Sequence, residues 1–476
     1  MTKEELLARL NDIEWNDFEV KEASGGLPKS IWETVSAFSN TAGGWIVLGA
    51  KEKKTGEGSE FIVSGVPNPE QMEQDIVTTL RSRTKFNAPI LCKALRYNID
   101  EKCVLVFEIP LSPHRPVAIK SNGEVYIRTG SGDTLATDME VDAIVRDASF
   151  GSKSEMEVPG SDFDDINLDS IASYRSYLRD FNRPLSYPTL NDEEFCRKLN
   201  IVLSSGKLSY GSLLMFGKRE SVLGVLSNFW IDYMEVPGDS YATASQRYTY
   251  RMPEQENIWE SFQLIMHRLR NFVDAPYIEG PDIFGVEDNS QLFCLREGLV
   301  NFCAHSDYFA SAHPTIRVFD DRIVMQNPGR FILAADEFRS RILSIPRNPG
   351  IIRLFRHPRL SENAGYGIDR ILGWKKLTGK TVTFESDMLI STVTYPLAAT
   401  KGLRNVGENN GENGENNDEN KVLDIIRKTP SITQPQIAAH TGFSTRKVNR
   451  LISSLRGKDK IIRIGKTKGG HWEIND

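Results

Sequence analysis

Residues 421–474 read KVLDIIRKTPSITQPQIAAHTGFSTRKVNRLISSLRGKDKIIRIGKTKGGHWEI, and the order of helix and strand signals in them sets the reading of the whole chain. Val422, Leu423, Ile425 and Ile426 predict a first helix that must stop before Pro430, whose ring cannot continue it. A short second helix follows around Gln434–His440 and is closed by Gly442. Ser444 is a good N-cap for a third. There Val448, Leu451, Ile452 and Leu455 recur at i, i+3, i+4 and i+7, the spacing of an inward stripe. The complementary positions hold Thr445, Arg446, Lys447, Asn449 and Arg450. IIRI (461–464) and HWEI (471–474) read as short strands around GKTKGG, which carries Lys466 and Lys468.

Charge is concentrated in the same stretch. Residues 421–476 hold 12 Lys and Arg against 4 Asp and Glu, a net +8, so the rest of the chain carries −14 of the total −6. A local positive patch on an acidic protein is what phosphate neutralisation with counterion release requires. The basic stretch follows GLRNVGENNGENGENNDENK (402–421), which has almost no apolar side chains and cannot offset its ordering entropy by burial. The expected organisation is therefore a linker over 402–419 and an independent module over 420–476.

Helix, turn, helix and β-wing in this order resemble the winged helix-turn-helix family. The resemblance implies that Thr445, Arg446, Lys447, Asn449 and Arg450 meet the major groove and that Lys466 and Lys468 lie on the wing. A docking surface for protein, with the lysines as a solvated face, is the alternative.

The first 150 residues mix helical stretches with β-branched runs such as WIVLGA, VLVFEI and EVYIRT. They contain Glu14-x4-Glu19, Lys21, AFSNTAGGWIVLGAKE (37–52) and PHRPVAIKSNGEVYIRTGS (113–131). These pieces, in this order, resemble the Schlafen AlbA_2 domain, whose members bind nucleic acid. Gly43 and Gly44 permit positive φ and close backbone approach, which serves either a phosphate or a tight turn. Arg128, with Gly130 and Ser131 behind it, is a candidate phosphate contact. Arg81, Arg83 and Lys85 beside Phe86 read either as a single-strand contact or as a solvated cluster. Some relatives are metal-dependent RNA nucleases with three carboxylates. The resemblance places two of these at Glu14 and Glu19 and the third at Glu52, where Ala50-Lys51-Glu52 departs from the usual Asp pair.

A further constellation lies at 291–309 (QLFCLREGLVNFCAHSDYF), 315–331 (TIRVFDDRIVMQNPGRF), 347–355 and 360–372 (LSENAGYGIDRIL). Strands are expected at Ile316–Phe319 and Ile323–Met325. Glu297, Asn301 and His305 form a polar stripe at i, i+4, i+8 in an apolar helix, and such groups need partners or a ligand. The pieces resemble HATPase_c_4, a reduced relative of the GHKL ATP-binding fold found behind AlbA_2 domains in bacterial regulators of the "RecG-related" type. The resemblance implies ATP/Mg²⁺, with Glu297 polarising water, Asn301 binding Mg²⁺, Asn327 and Gly329 at the adenine turn, and Gly365 and Gly367 as a phosphate cradle. Asn327 stands where that family has Asp, and it cannot supply the carboxylate to the adenine amino group.

The expected architecture is an α+β multidomain chain. It comprises an AlbA_2-like α/β domain (1–150), a mainly helical connecting region (160–290) with no assigned chemistry, a degenerate GHKL-like α/β segment (291–400), the linker and the winged helix. Five scattered cysteines with no CxxC pair predict neither a zinc site nor a disulfide framework, and suit a reducing compartment. No run approaches the about 18 apolar residues of a membrane span, and the amphipathic acidic start shows no signal core. The sequence thus predicts a cytoplasmic DNA-binding transcriptional regulator, nucleotide-responsive and homodimeric. The alternative is an enzyme, a metal-dependent nuclease or nucleotide-driven defence protein on Glu14, Glu19 and Glu52. Each enzymatic constellation lacks or alters one member, whereas the basic face is complete, so a binding role is favoured.

Overall fold

The computed structural model describes residues 1–10, 17–55, 58–130, 132–244, 246–273, 291–331, 345–361 and 367–397. Beyond these it describes 422–423, 425–427, 429–430, 432–434, 436–437, 448, 451–453, 455–456, 460–464 and 471–474. The chain divides into two compact units: Met1–Tyr233 with Met252–Val318 and Arg322–Leu397, and a second comprising Met234–Arg251, Phe319–Asp321 and Ala398–Asp476.

The first unit begins with α1 (Lys3–Leu10), β1 (Phe18–Lys21), α2 (Ile31–Asn40) and β2 (Gly44–Leu48). A hairpin of β3 (Ala50–Thr55) and β4 (Gly58–Val63), helix α3 (Pro69–Arg81) and the strands β5 (Lys93–Ile99) and β6 (Lys102–Ile109) follow. The sheet order is β1-β2-β6-β5, with β1 and β2 parallel and the other neighbours antiparallel. Strand alternation divides the core in two. Ile46, Leu48, Leu105, Phe107 and Ile109 pack with Val35 and Phe38 of α2 and Ile76 and Leu80 of α3. Val47, Val104 and Val106 pack with Leu6 and Leu10 of α1. The apolar runs expected at WIVL and VLVF are thus the central strands, covered on both faces. A second hairpin, β7 (Tyr126–Thr129) and β8 (Gly132–Leu135), leads to α4 (Asp138–Asp147), which starts with a capping box between Thr137 and Glu140.

The connecting region is helical: α5 (Leu168–Phe181), α6 (Asp192–Lys198), α7 (Tyr210–Phe216), α8 (Arg219–Val225) and, after the short strands β9 (Asp232–Glu235) and β10 (Tyr250–Arg251), α9 (Ile258–Leu269). Tyr174, Phe195, Phe216, Trp259 and Phe262 are core, as helical spacing predicted for the first and the last two. Tyr174 meets Phe216 at 4.8 Å and Trp259 at 5.1 Å between ring centroids, and Trp259 and Phe262 stack at 6.0 Å.

In the last part of this unit α10 (Gln291–His305) accompanies an antiparallel sheet. Four of this sheet's six strands are β11 (Thr315–Val318), β12 (Arg322–Pro328), β13 (Thr383–Ser386) and β14 (Ile390–Pro396), neighbours in the order β11-β12-β14-β13. Between β12 and β13 lie α11 (Pro349–Arg356), α12 (Gly367–Leu372) and α13 (Trp374–Thr378). The five cysteines are free.

In the second unit, the described residues of 422–427 are helical and β15 (Ile461–Ile464) pairs antiparallel with β16 (His471–Ile474), Ile461 opposite Ile474. Val422, Ile426, Ile432, Ile437, Val448, Leu451, Ile452, Leu455, Ile461 and Trp472 form one buried cluster. The inward stripe read from the third helix is in that core. Trp472 ties hairpin to helices: its backbone N–H donates to Pro430 O at 2.7 Å and its Nε1 to Ile432 O at 3.1 Å.

Candidate nucleic-acid interface

The C-terminal module presents its chemistry on a packed frame. Thr433 opens the second helix. Its backbone N–H and its hydroxyl both donate to Gln436 Oε1, at 3.0 and 2.8 Å. This T-x-x-Q start was readable in the sequence as a capping signature. Arg463 lies over the Trp472 ring at 4.8 Å, which holds one cation of the hairpin in place. Thr445, Arg446, Lys447, Asn449, Arg450, Lys466 and Lys468 all lie outside the described residues.

In the N-terminal part, the glycine turn resolves as a tight turn. Gly43 has φ +79°, and a Cβ there would stand 2.9 Å from Ile109 O; one on Gly44 would stand 2.7 Å from the Phe38 ring. Both glycines are required by packing against β6 and α2. Asn40, fully buried at the end of α2, donates to Val117 O at 3.0 Å and Tyr126 O at 3.1 Å and accepts from the Val117 N–H at 2.8 Å. It thereby welds the helix end to the two later segments of the motif.

Arg128 corrects the expectation of a phosphate contact. Its side chain is 4% exposed and lies between two carboxylates, Glu19 Oε2 at 2.9 Å and Asp133 Oδ1 at 2.9 Å, with its guanidinium 5.2 Å from the Phe38 ring centroid. Glu19 Oε1 pairs in turn with Lys21 Nζ at 3.1 Å. Both oxygens of Glu19 are therefore engaged by cations. Asp133 is held from its other side by the Thr34 hydroxyl at 2.5 Å. The structure brings Glu19, Lys21 and Arg128 together into an ion-pair network. Glu14 lies outside the described residues; Glu52 sits on β3 opposite Phe61, and its side chain is not among those described. Among the described residues no group of three His, Cys, Asp or Glu is arranged to hold a metal.

Phe86 also departs from expectation: it is fully buried and offers no stacking face. The half-exposed ring beside the basic cluster is Trp32 of α2, with Lys85 Nζ 5.7 Å from its centroid. Sequence reading passed over Trp32 because it is fifty residues from the basic run.

In the central part, three of the expected nucleotide residues converge. Asn301 Nδ2 donates to Glu297 O at 2.8 Å, and a Cβ on Gly367 would fall 2.7 Å from Glu297 Oε1 and 3.3 Å from Asn301 Nδ2. Glu297 is 2% exposed and its Oε2 has no hydrogen-bond partner among the described residues; burial raises its pKa, against the pull of Ser361, Arg296 and Arg370. A buried carboxylate with a spare oxygen beside a glycine cradle fits a phosphate-bound Mg²⁺. The adenine turn fits less well. Asn327 donates to Phe302 O at 2.8 Å, and the space over Gly329 (φ +89°) is taken by Arg347, whose Nη2 would lie 2.8 Å from a Cβ there. Gly365 lies outside the described residues. His305, half-buried at the end of the same helix, is kept neutral: burial first, and Arg347 second, push its pKa down to about 4.

Residues 14–137 match the Schlafen AlbA_2 family. Residues 311–390 match the family described as "Putative ATP-dependent DNA helicase recG C-terminal", HATPase_c_4, and 419–462 match "Winged helix-turn-helix DNA-binding". A fourth match, to a domain of unknown function, spans 142–232 and covers a stretch to which sequence reading gave no chemistry. A solved structure, the DIP2311 protein from Corynebacterium diphtheriae, is 15% identical over 99% of this chain and 98% of its own, with a TM-score of 0.41. Another is the N-terminal domain of a "Putative ATP-dependent DNA Helicase RecG-related Protein" from Nitrosomonas europaea. It is 25% identical over 28% of this chain and 90% of its own, with a TM-score of 0.23. No curated protein matches the chain. The AlbA_2 and winged-helix matches give this protein the domain content of a nucleic-acid binder. No described helix is long and apolar enough to cross a membrane.

Proposed function

We propose that the chain is a DNA-binding transcriptional regulator whose C-terminal winged helix reads DNA, acting as a homodimer on paired half-sites. The observation that carries this reading is the pairing of a closed apolar core, Val448 to Trp472, with a net +8 confined to residues 421–476. Leu451, Ile452 and Leu455 use the inward positions of the third helix. The sequence pattern leaves Arg446, Lys447, Asn449 and Arg450 for the groove. Neutralising phosphates with these cations is favourable and salt-dependent.

The regulator is also proposed to respond to nucleotide. Glu297, Asn301 and Gly367 would hold the Mg²⁺ and phosphates of ATP, and the bound group supplies negative charge and metal-mediated cross-linking at that position. The engaged state of Glu19, with both oxygens on cations, supports binding over phosphodiester cleavage in the AlbA_2 domain.

Fluorescence anisotropy on mixed-sequence duplex DNA, at several salt concentrations and with or without ATP/Mg²⁺, tests the reading. Replacing Arg446 and Arg450 together by Ala should weaken binding at least about tenfold and reduce the salt slope by about 2. Unchanged affinity at moderate salt would remove the winged helix from DNA recognition. ATP/Mg²⁺ should shift the midpoint.

A further inference from the structure

Around Asp147, at the end of α4, arginines from three segments meet. Arg330 Nε lies 2.9 Å from Asp147 Oδ2 and Arg347 Nη2 lies 2.8 Å from Oδ1. Arg115 Nη2 donates to the Asp147 backbone carbonyl at 3.3 Å. One residue earlier, Arg146 Nε binds Asp307 Oδ2 at 2.8 Å, and Arg347 Nη1 is 4.0 Å from the same oxygen. Among the described residues, three guanidinium groups thus share two carboxylates, and a fourth, Arg115, sits on the Asp147 backbone carbonyl.

The cluster is also short of acceptors. Arg347 is 6% exposed and Asp147 is 6% exposed. Arg115 Nε and Nη1 and Arg347 Nε are buried and have no hydrogen-bond partner among the described residues. Burial, then the charges of Arg330 and Arg347, lower the pKa of Arg115 against the pull of Asp147. Uncompensated buried cations are costly, and native interiors rarely keep buried donors unpaired. Guanidinium forks match phosphoryl oxygens in geometry as well as charge.

We propose that Arg115, Arg330 and Arg347 form a binding site for a small phosphate dianion, free or as the terminal phosphate of a small molecule. The buried donors favour a small ligand over a nucleic-acid backbone, because a duplex cannot reach them. The site shares no residue with the group Glu297, Asn301 and Gly367. It touches both the AlbA_2 turn, through the Arg330 Nη1 hydrogen bond to Thr41 O, and the Asn327–Gly329 turn, through Arg347. A bound dianion would therefore brace these two turns against each other.

The test is titration of the full chain, in a phosphate-free buffer, with inorganic phosphate and with a nucleoside monophosphate, read by calorimetry and melting temperature. Sodium chloride at matched ionic strength is the control. Saturable heat and a melting-temperature rise with phosphate, absent with chloride, are expected. Arg115→Gln should weaken that binding at least tenfold, whereas Arg197→Gln, exposed on α6, should leave it unchanged. If the monophosphate binds and free phosphate does not, the site takes the esterified form. Failure of both to exceed chloride on the wild-type chain overturns the proposal, as does full-strength binding by Arg115→Gln. Should Arg115→Gln fail to fold, Arg115→Lys takes its place, since a lysine cannot reproduce the fork.

Discussion

Two arginine-centred networks in the first unit differ in how their charge is balanced. At Arg128 one guanidinium meets two carboxylates and Lys21 pairs with one of them, Glu19, so among the described residues two cations face two anions. Around Asp147, among the described residues, the arginines outnumber the carboxylates, and several buried donors have no acceptor. A balanced network behaves as part of the frame. An unbalanced one costs stability by itself and gains by taking on an anion. The contrast separates residues that hold this protein together from residues that wait for something, although all are arginines with low exposure.

The largest effect should come from breaking the balanced network. Arg128→Leu leaves Asp133 without its cation and Glu19 with Lys21 alone, and should cost about 3–5 kcal/mol in chemical denaturation. A loss below about 1 kcal/mol would put the two networks in the same class. The next concerns His305, which sits beside the unbalanced one. Its folded pKa, about 4, lies below its ordinary 6.5, so the folded state resists protonation. The stability this gives is complete above pH 6.5 and is lost as pH falls from 6.5 toward 4, by about 3 kcal/mol in all. Melting curves across that window should show the loss, and His305→Gln should flatten it relative to wild type. The smallest effect is the most discriminating. In phosphate-free buffer Arg115→Leu should change stability by less than about 1 kcal/mol, or raise it, because it removes an under-compensated cation. A cost equal to that of Arg128→Leu would erase the distinction.

The frame of the protein was legible wherever burial imposes a period. The stripe Val448, Leu451, Ile452, Leu455 and the runs WIVL and VLVF announce a helix face and two covered strands, and both are present. The hairpin around residues 319–321 was legible for the same reason. The polar sites were legible only as residue types. Arg128 was visible, but its partner Glu19 lies 109 residues away, and nothing local marks the pair as inward. The same distance problem hid Trp32 behind Phe86 and hid Arg330 and Arg347 from Asp147. Side-chain pairing across a fold leaves no periodicity in the chain, so reading one sequence finds the candidates and misses their orientation. The convergence of Glu297, Asn301 and Gly367 is the exception, because two of the three share one helix face.

The hydrogen bond from Arg330 to the Thr41 carbonyl spans 289 residues of sequence. A fragment cut near residue 150, where composition suggests a seam, would keep Thr41, Arg115 and Asp147 but lose Arg330 and Arg347. The amino-terminal piece would then carry an unanswered aspartate on a newly wetted surface. Its behaviour in isolation would report on the scissors as much as on the domain.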